Sequence, residues 1–247
     1  MSDPYMEMPD LDGDAFKMEG DEVAFLLVHG FTATTTEVRT LAEFYHAKGH
    51  TVAAPLLPGH GTHPDDLNRV RWLEWYESAR QAYLELRRSH SKIWLGGESM
   101  GALLCLKLAV EFPEAAGLLL FAPALKVRLL ANAYWLQFFK KYLRKNSRKI
   151  DMPWKGYNVY PLKGAVQLLE LQKQVRRLLP EVKQPTFIAV SKTDPTVRLS
   201  TGDLLYHSIA SAQKELLILQ HSPHVMLLGP EAETLFAQAG QFFAENN

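Results

Sequence analysis

The chain has almost no cysteine. Cys105 is the single one among 247 residues, so no intrachain disulfide can form. It also lacks a surplus of either charge: 27 Lys and Arg balance 27 Asp and Glu, which argues against a protein built to hold nucleic acid. No apolar run approaches the roughly 20 residues needed to span a bilayer. The first 22 residues carry eight acidic side chains and one lysine, the reverse of a secretory signal. These absences lead to the expectation of a soluble, cytoplasmic protein. A phosphate loop is missing too. Gly96 to Gly101 has the glycine spacing of one, but Ala102 stands where lysine is required. There is no internal repeat and no low-complexity tract.

What the chain does have is apolar bulk, 47% hydrophobic residues against 22% charged, enough for one large domain with a sizeable core. A continuous apolar run marks a strand buried on both faces at Val23–Val28, Lys92–Gly96 reads as a short buried strand, and further strands are read at Thr51–Ala54, Ala116–Phe121, Thr186–Ser191 and Leu216–Leu219. Helical patterning lies between them at about 36–48, 70–89, 102–110, 199–210 and 231–244. Strands alternating with helices predict an α/β fold, with a mainly parallel sheet of six to seven strands and helices on both faces. Residues 1–21 read as a loosely structured arm before a single domain over 22–247. From about 125 to 180 the rhythm breaks into a helical and loop-like insertion, rich in aromatic and basic residues, over the carboxyl edge of the sheet.

The most informative stretch is Gly97-Glu98-Ser99-Met100-Gly101, set between the strand at Lys92 and an apolar helix. Strand, sharp turn and helix together lift a serine Oγ clear of the backbone, and the two glycines allow the close approach this requires. A serine hydroxyl is a poor nucleophile unless a histidine accepts its proton and a carboxylate orients that histidine. Asp194 follows the strand ending at Ser191, and His224 follows the strand ending near Leu219. Ser99, Asp194 and His224 thus share the sheet edge at which open α/β sheets bind ligands. Asp203 and His221 lie nearby as rivals; Asp194 and His224 are preferred. Attack on a carbonyl also calls for two backbone N–H donors to the oxyanion, assigned to Met100 after the serine and to Phe31 in the loop after the first apolar strand. His29, just before that loop, reads as a turn residue that braces it.

With His29-Gly30-Phe31, Pro58-Gly59-His60-Gly61, the serine pentapeptide, Asp194 and His224, the chain resembles the α/β-hydrolase superfamily, and within it the small bacterial carboxylesterases and monoacylglycerol lipases. The resemblance runs from about residue 23 to the end. It implies an α/β-hydrolase fold whose insertion is a helical cap over the acyl pocket. It also implies a serine carboxylesterase acting through an acyl-enzyme on esters of short to medium chain, monoacylglycerols included, without a cofactor. Phe31, Leu125, Val197 and Val225 are the expected pocket-lining side chains. The same constellation serves thioesterases, C–C bond hydrolases and acyltransferases, and a non-catalytic ligand-binding relative is a further alternative.

Two other features invite function. His60, His63, Asp65 and Asp66 have metal-ligand chemistry but sit in a Pro/Gly loop, so no metal site is assigned. Residues 138–149 form a basic run, with Trp135, Phe138, Phe139 and Tyr142 at helical spacing. The preferred reading is a cap helix whose aromatic stripe packs on the body. The functional one is transient contact with an anionic membrane surface. Cys105 reads as a buried structural thiol.

Overall fold

The computed structural model describes residues 4–128, 130–145 and 152–247. The sheet has seven strands: β1 (Phe16–Met18), β2 (Val23–Val28), β3 (Thr51–Ala54), β4 (Lys92–Glu98), β5 (Gly117–Phe121), β6 (Thr186–Ser191) and β7 (Lys214–Leu219), in the order β7-β6-β5-β4-β2-β3-β1. Six run parallel, and β1 closes the edge antiparallel to β3, with Phe16 opposite Ala54. The helices that flank the sheet are α1 (Thr36–His46), α2 (Trp72–Arg87), α3 (Met100–Glu111), α4 (Leu162–Leu178), α5 (Ser200–Ser208) and α6 (Ala232–Asn246). Among the described residues no helix is long and apolar enough to cross a membrane.

The apolar runs divide between two cores because strand side chains alternate. Ala24, Leu26, Val28, Ile93, Leu95, Leu118 and Leu120 face α2, α3 and α4. Phe25, Leu27, Trp94, Leu119, Phe121 and Phe187 face α1 and α6. Both faces are therefore dry, which is what keeps parallel strands uniformly apolar.

Two expectations change. Residues 1–21 are not uniformly a loose arm. Phe16 and Met18 pack on the α1 and α6 side, and Met6–Glu7 pairs antiparallel with Gly156–Tyr157. Arg39 lies over the Phe16 ring at 4.3 Å, which secures a strand too short to announce itself by periodicity. Nor does the aromatic and basic stretch form one amphipathic helix. Its helix is short, Ala133–Leu136, and Tyr142–Arg144 is a strand paired with Val159–Pro161. Trp135, Phe138 and Phe139 are 77%, 73% and 83% exposed instead of packed on the body. A stripe becomes a helix only where a surface receives it, and here the inner contacts are taken by Ala133 and Leu136. Residues 146–149 of the basic run lie outside the described residues.

Within the inserted segment, α4 is tied to the loop before α2. Asn68 Oδ1 accepts the N–H groups of Lys163 (2.9 Å) and Gly164 (3.3 Å), first-turn donors with no partner inside that helix, while the Leu162 N–H ahead of them donates to Lys141 O. Its other end docks on the chain beyond β5, where Gln172 and Arg176 donate to the carbonyls of Ala124 and Leu125.

Candidate active site

Ser99 sits between β4 and α3 at φ 57° and ψ −110°, a strained conformation for a residue with a side chain. Its backbone is pinned on both sides: Ser99 N–H donates to Phe121 O at 2.8 Å and Ala124 N–H donates to Ser99 O at 3.1 Å. A Cβ at Gly97 would overlap the Gly101 backbone, and one at Gly101 would overlap the Val28 carbonyl. The turn can thus be made only with glycine at both places.

Two later loops bring their side chains to this turn. His224 Nε2 lies 3.0 Å from Ser99 Oγ, and His224 Nδ1 lies 2.9 Å from Asp194 Oδ2. The other Asp194 oxygen, Oδ1, accepts the N–H groups of Thr196 (2.7 Å) and Val197 (2.9 Å). Because Oδ2 only accepts, Nδ1 carries the proton and Nε2 is left free to receive that of Ser99. Burial pushes the Asp194 carboxyl up, but the His224 charge and the three hydrogen bonds outweigh it and hold the group below its usual range. Burial likewise lowers His224, and the Asp194 carboxylate, aided by Glu37, more than reverses this, so its pKa lies above 6.5. The rivals stay apart. His221 uses its backbone N–H to reach Glu231, and Asp203 is an exposed residue of α5.

The two N–H groups expected to face the oxyanion, on Phe31 and Met100, are taken up by no turn, loop or cap hydrogen bond among the described residues. Gly30 lies against Ser99; a Cβ there would sit 3.2 Å from that of Ser99. His29 braces the loop: its Nε2 accepts Leu57 N–H at 3.1 Å, so Nδ1–H donates to Gly30 O at 2.9 Å. Burial pushes its pKa down to about 4, and the ring stays neutral. His60 bonds to the carbonyls of Leu57 and Pro58, and His63 caps the short helix Pro64–Leu67.

Of the expected lining residues, Phe31 is half-buried and packs with Ala133, Leu162 and Ala165 of the inserted segment. Val225 packs with Ala33 and Trp154, and Val197 is bridged to Val127. Leu125 is fully buried in the helix-side core. Sequence reasoning passed over Glu37, Glu98, Lys145 and Trp154. Glu37 accepts hydrogen bonds from Gly30 N–H and Trp154 Nε1–H, and Lys145 Nζ reaches Thr32 Oγ1. Glu98 stood inside the serine pentapeptide and Lys145 inside the basic run, but neither carried a local signal of its buried partners.

A doubly covered parallel sheet with a strained serine at the carboxyl edge defines the class, the α/β hydrolases. Residues 21–161 match the family model described as serine aminopeptidase, S33, and the chain belongs to that family. It is 32% identical over 251 positions to the thermostable monoacylglycerol lipase of Bacillus sp. (strain H-257), covering 100% of this chain and 99% of that one. It is 25% identical to a carboxylesterase of Bacillus subtilis (strain 168), covering 92% and 94% of the two chains. A solved structure from work on the metagenome-derived lipolytic enzymes LipS and LipT superposes with a TM-score of 0.89 at 30% identity, over 94% of this chain and 98% of the other.

Proposed function

We propose that this protein hydrolyses carboxylic esters of short to medium acyl chain, monoacylglycerols among them, through an acyl-enzyme on Ser99. The observation that carries the reading is the continuous hydrogen-bonded line from Ser99 Oγ through His224 to Asp194. Ser99 attacks the ester carbonyl while His224 Nε2 takes its proton. The imidazolium so formed is stabilised by the Asp194 carboxylate. The oxyanion is received by the N–H groups of Phe31 and Met100, each such donor contributing about 100- to 1000-fold in rate. His224 then protonates the leaving alkoxide, and water, deprotonated by the same nitrogen, releases the acid.

The family description names peptide chemistry, whereas the relatives matched over nearly their whole lengths are named as a lipase and a carboxylesterase. That coverage favours the ester. The acyl side of the site is assigned to Phe31, Val197, Val225 and Leu125. The insertion from about 125 to 180 acts as its cap within one domain that takes in the edge strand Phe16–Met18, a role supported by the packing of Ala133 and Leu162 on Phe31. The same segment makes transient contact with anionic lipid surfaces. Its exposed Trp135, Phe138 and Phe139 adjoin a groove of about 200 Å³ with a net basic lining, Arg69, Lys140, Lys141 and Lys163 against the single carboxylate of Asp65. A cytoplasmic setting completes the reading.

The test is hydrolysis of p-nitrophenyl esters from acetyl to palmitoyl by the wild type and by Ser99→Ala, with circular dichroism on both. Turnover that peaks between acetyl and octanoyl and falls to background in the variant is expected. Equal rates in the two proteins would remove Ser99 as nucleophile, and a palmitoyl optimum would overturn the chain-length range.

A further inference from the structure

Glu98, the residue before the nucleophile, has a fully buried carboxyl that reaches the loop behind His224. Its Oε1 accepts the N–H of Met226 at 2.6 Å and, at greater length, that of Leu227 at 3.4 Å. These donors open the single turn Met226–Leu228, and Met226 and Leu227 are both fully buried, so water does not replace the acceptor. His224 stands two residues upstream, and its ring must meet Ser99 on one nitrogen and Asp194 on the other. The loop is also held from its outer side, where Glu231 takes the N–H groups of Gln220 and His221 and the hydroxyl of Ser222. Glu98 is the inner of the two anchors.

The second oxygen of Glu98, Oε2, is buried and without a hydrogen-bond partner among the described residues. Glu37, on α1, lies in the same interior, but both of its oxygens are occupied, by Gly30 N–H and by Trp154 Nε1–H. The charged groups that face this pair are Asp194 and Glu37 on Glu98, and His224 and Lys145 on Glu37. Lys145, desolvated, has its pKa lowered to about 7, so it does not supply a dependable positive charge. Three carboxyls therefore crowd a space in which His224 must be neutral before each turnover. A proton is accommodated there with least loss on the oxygen that accepts nothing, Glu98 Oε2.

We propose that Glu98 is a positioning residue that works as the neutral acid, its carbonyl oxygen holding the Met226–Leu227 turn and thereby His224, with its proton kept on Oε2. Burial first, and the Glu37 charge second, push its carboxyl well above the usual carboxylate range, in agreement with that assignment. Folding then takes up a proton that the unfolded chain has already released. The contribution of this group to stability accordingly falls as pH rises above the unfolded value near 4.5.

The kinetic half of this proposal rests on the esterase reading; the thermal half contains no turnover and stands apart from it. Glu98→Gln keeps the carbonyl acceptor and cannot ionise, whereas Glu98→Leu keeps the bulk and loses the acceptor. Melting temperatures of Glu98→Gln and wild type, followed from pH 5 to pH 8, are expected to diverge in favour of the variant as pH rises. On a short-chain ester, Glu98→Leu should lose about 100-fold in kcat with little change in KM, the scale expected when a catalytic group is misplaced by about an ångström. Glu98→Gln should recover most of that loss. A melting difference that stays constant across the pH range would overturn the protonated assignment, and a Glu98→Gln as slow as Glu98→Leu would overturn the role of the carbonyl. Should Glu98→Leu fail to fold, the comparison of Glu98→Gln with wild type still decides.

Discussion

Replacing Asp194 by asparagine separates the two tasks of this carboxylate. Oδ1 holds the loop by accepting from Thr196 and Val197, and asparagine can keep that oxygen in place. The nitrogen would then sit where Oδ2 now accepts from His224 Nδ1 at 2.9 Å. An amide donates there, so the imidazole must turn to the tautomer with its proton on Nε2, facing Ser99 with nothing to accept the hydroxyl proton. In a serine protease the same exchange costs about 10⁴ in kcat, or about 5.5 kcal/mol of transition-state stabilisation, and Asp194→Asn is expected to approach that loss. Alanine removes Oδ1 as well. Val197 is buried, so its N–H would be left unsatisfied at about 1–3 kcal/mol. For a chain of this length that is a fall of roughly 2–12 °C in Tm. The assay is single-substrate ester kinetics with thermal melts on wild type, Asp194→Asn and Asp194→Ala. Both variants should be catalytically crippled, and only alanine should melt early. An asparagine variant that keeps more than a tenth of wild-type kcat, or that melts as early as alanine, refutes the division of labour.

The raised pKa of His224 has a kinetic sign: only the neutral ring accepts the Ser99 proton, so kcat/KM should rise with pH through a midpoint above 6.5. A midpoint below 6.5 would show that burial, not Asp194, governs the ring. For the inserted segment, co-sedimentation with phosphatidylglycerol vesicles at low salt should be lost in Trp135→Ala/Phe138→Ala/Phe139→Ala, with hydrolysis of a short soluble ester unchanged. Equal pelleting by wild type and triple variant would end the surface-contact reading.

Local chemistry was enough for the elbow. Two glycines around a serine, between an apolar strand and an apolar helix, can be read from one short stretch of chain because the steric demand is local. The apolar runs of β2 to β6 were legible for a similar reason, since a strand covered on both faces needs no alternation, whereas the edge strand β7 keeps an apolar run although Ile218 stays exposed. Asp194 could be chosen over Asp203 by its place in the loop after β6, and His224 over His221, which shares the loop after β7, as the more distal one leading into the last helix; their mutual distances could not be read. The edge strand β1, three residues long, was too short for any pattern and exists because β3 offers an unpaired edge. The stripe at Trp135, Phe138 and Phe139 had helical spacing without a surface to bury it, and periodicity alone does not say which.

The sequence by itself determined the layered sheet, the serine elbow and the order in which Asp194 and His224 follow it, because these follow from short runs of residues and from the direction of a parallel sheet. Tertiary structure alone decided which carboxyls meet behind the site. Glu37 and Glu98 lie sixty-one positions apart, on a helix and at a strand end, with partners in the loops of Gly30 and Met226. Their shared desolvation, and the proton it demands, arise only once three separate segments have closed around the same water-free space.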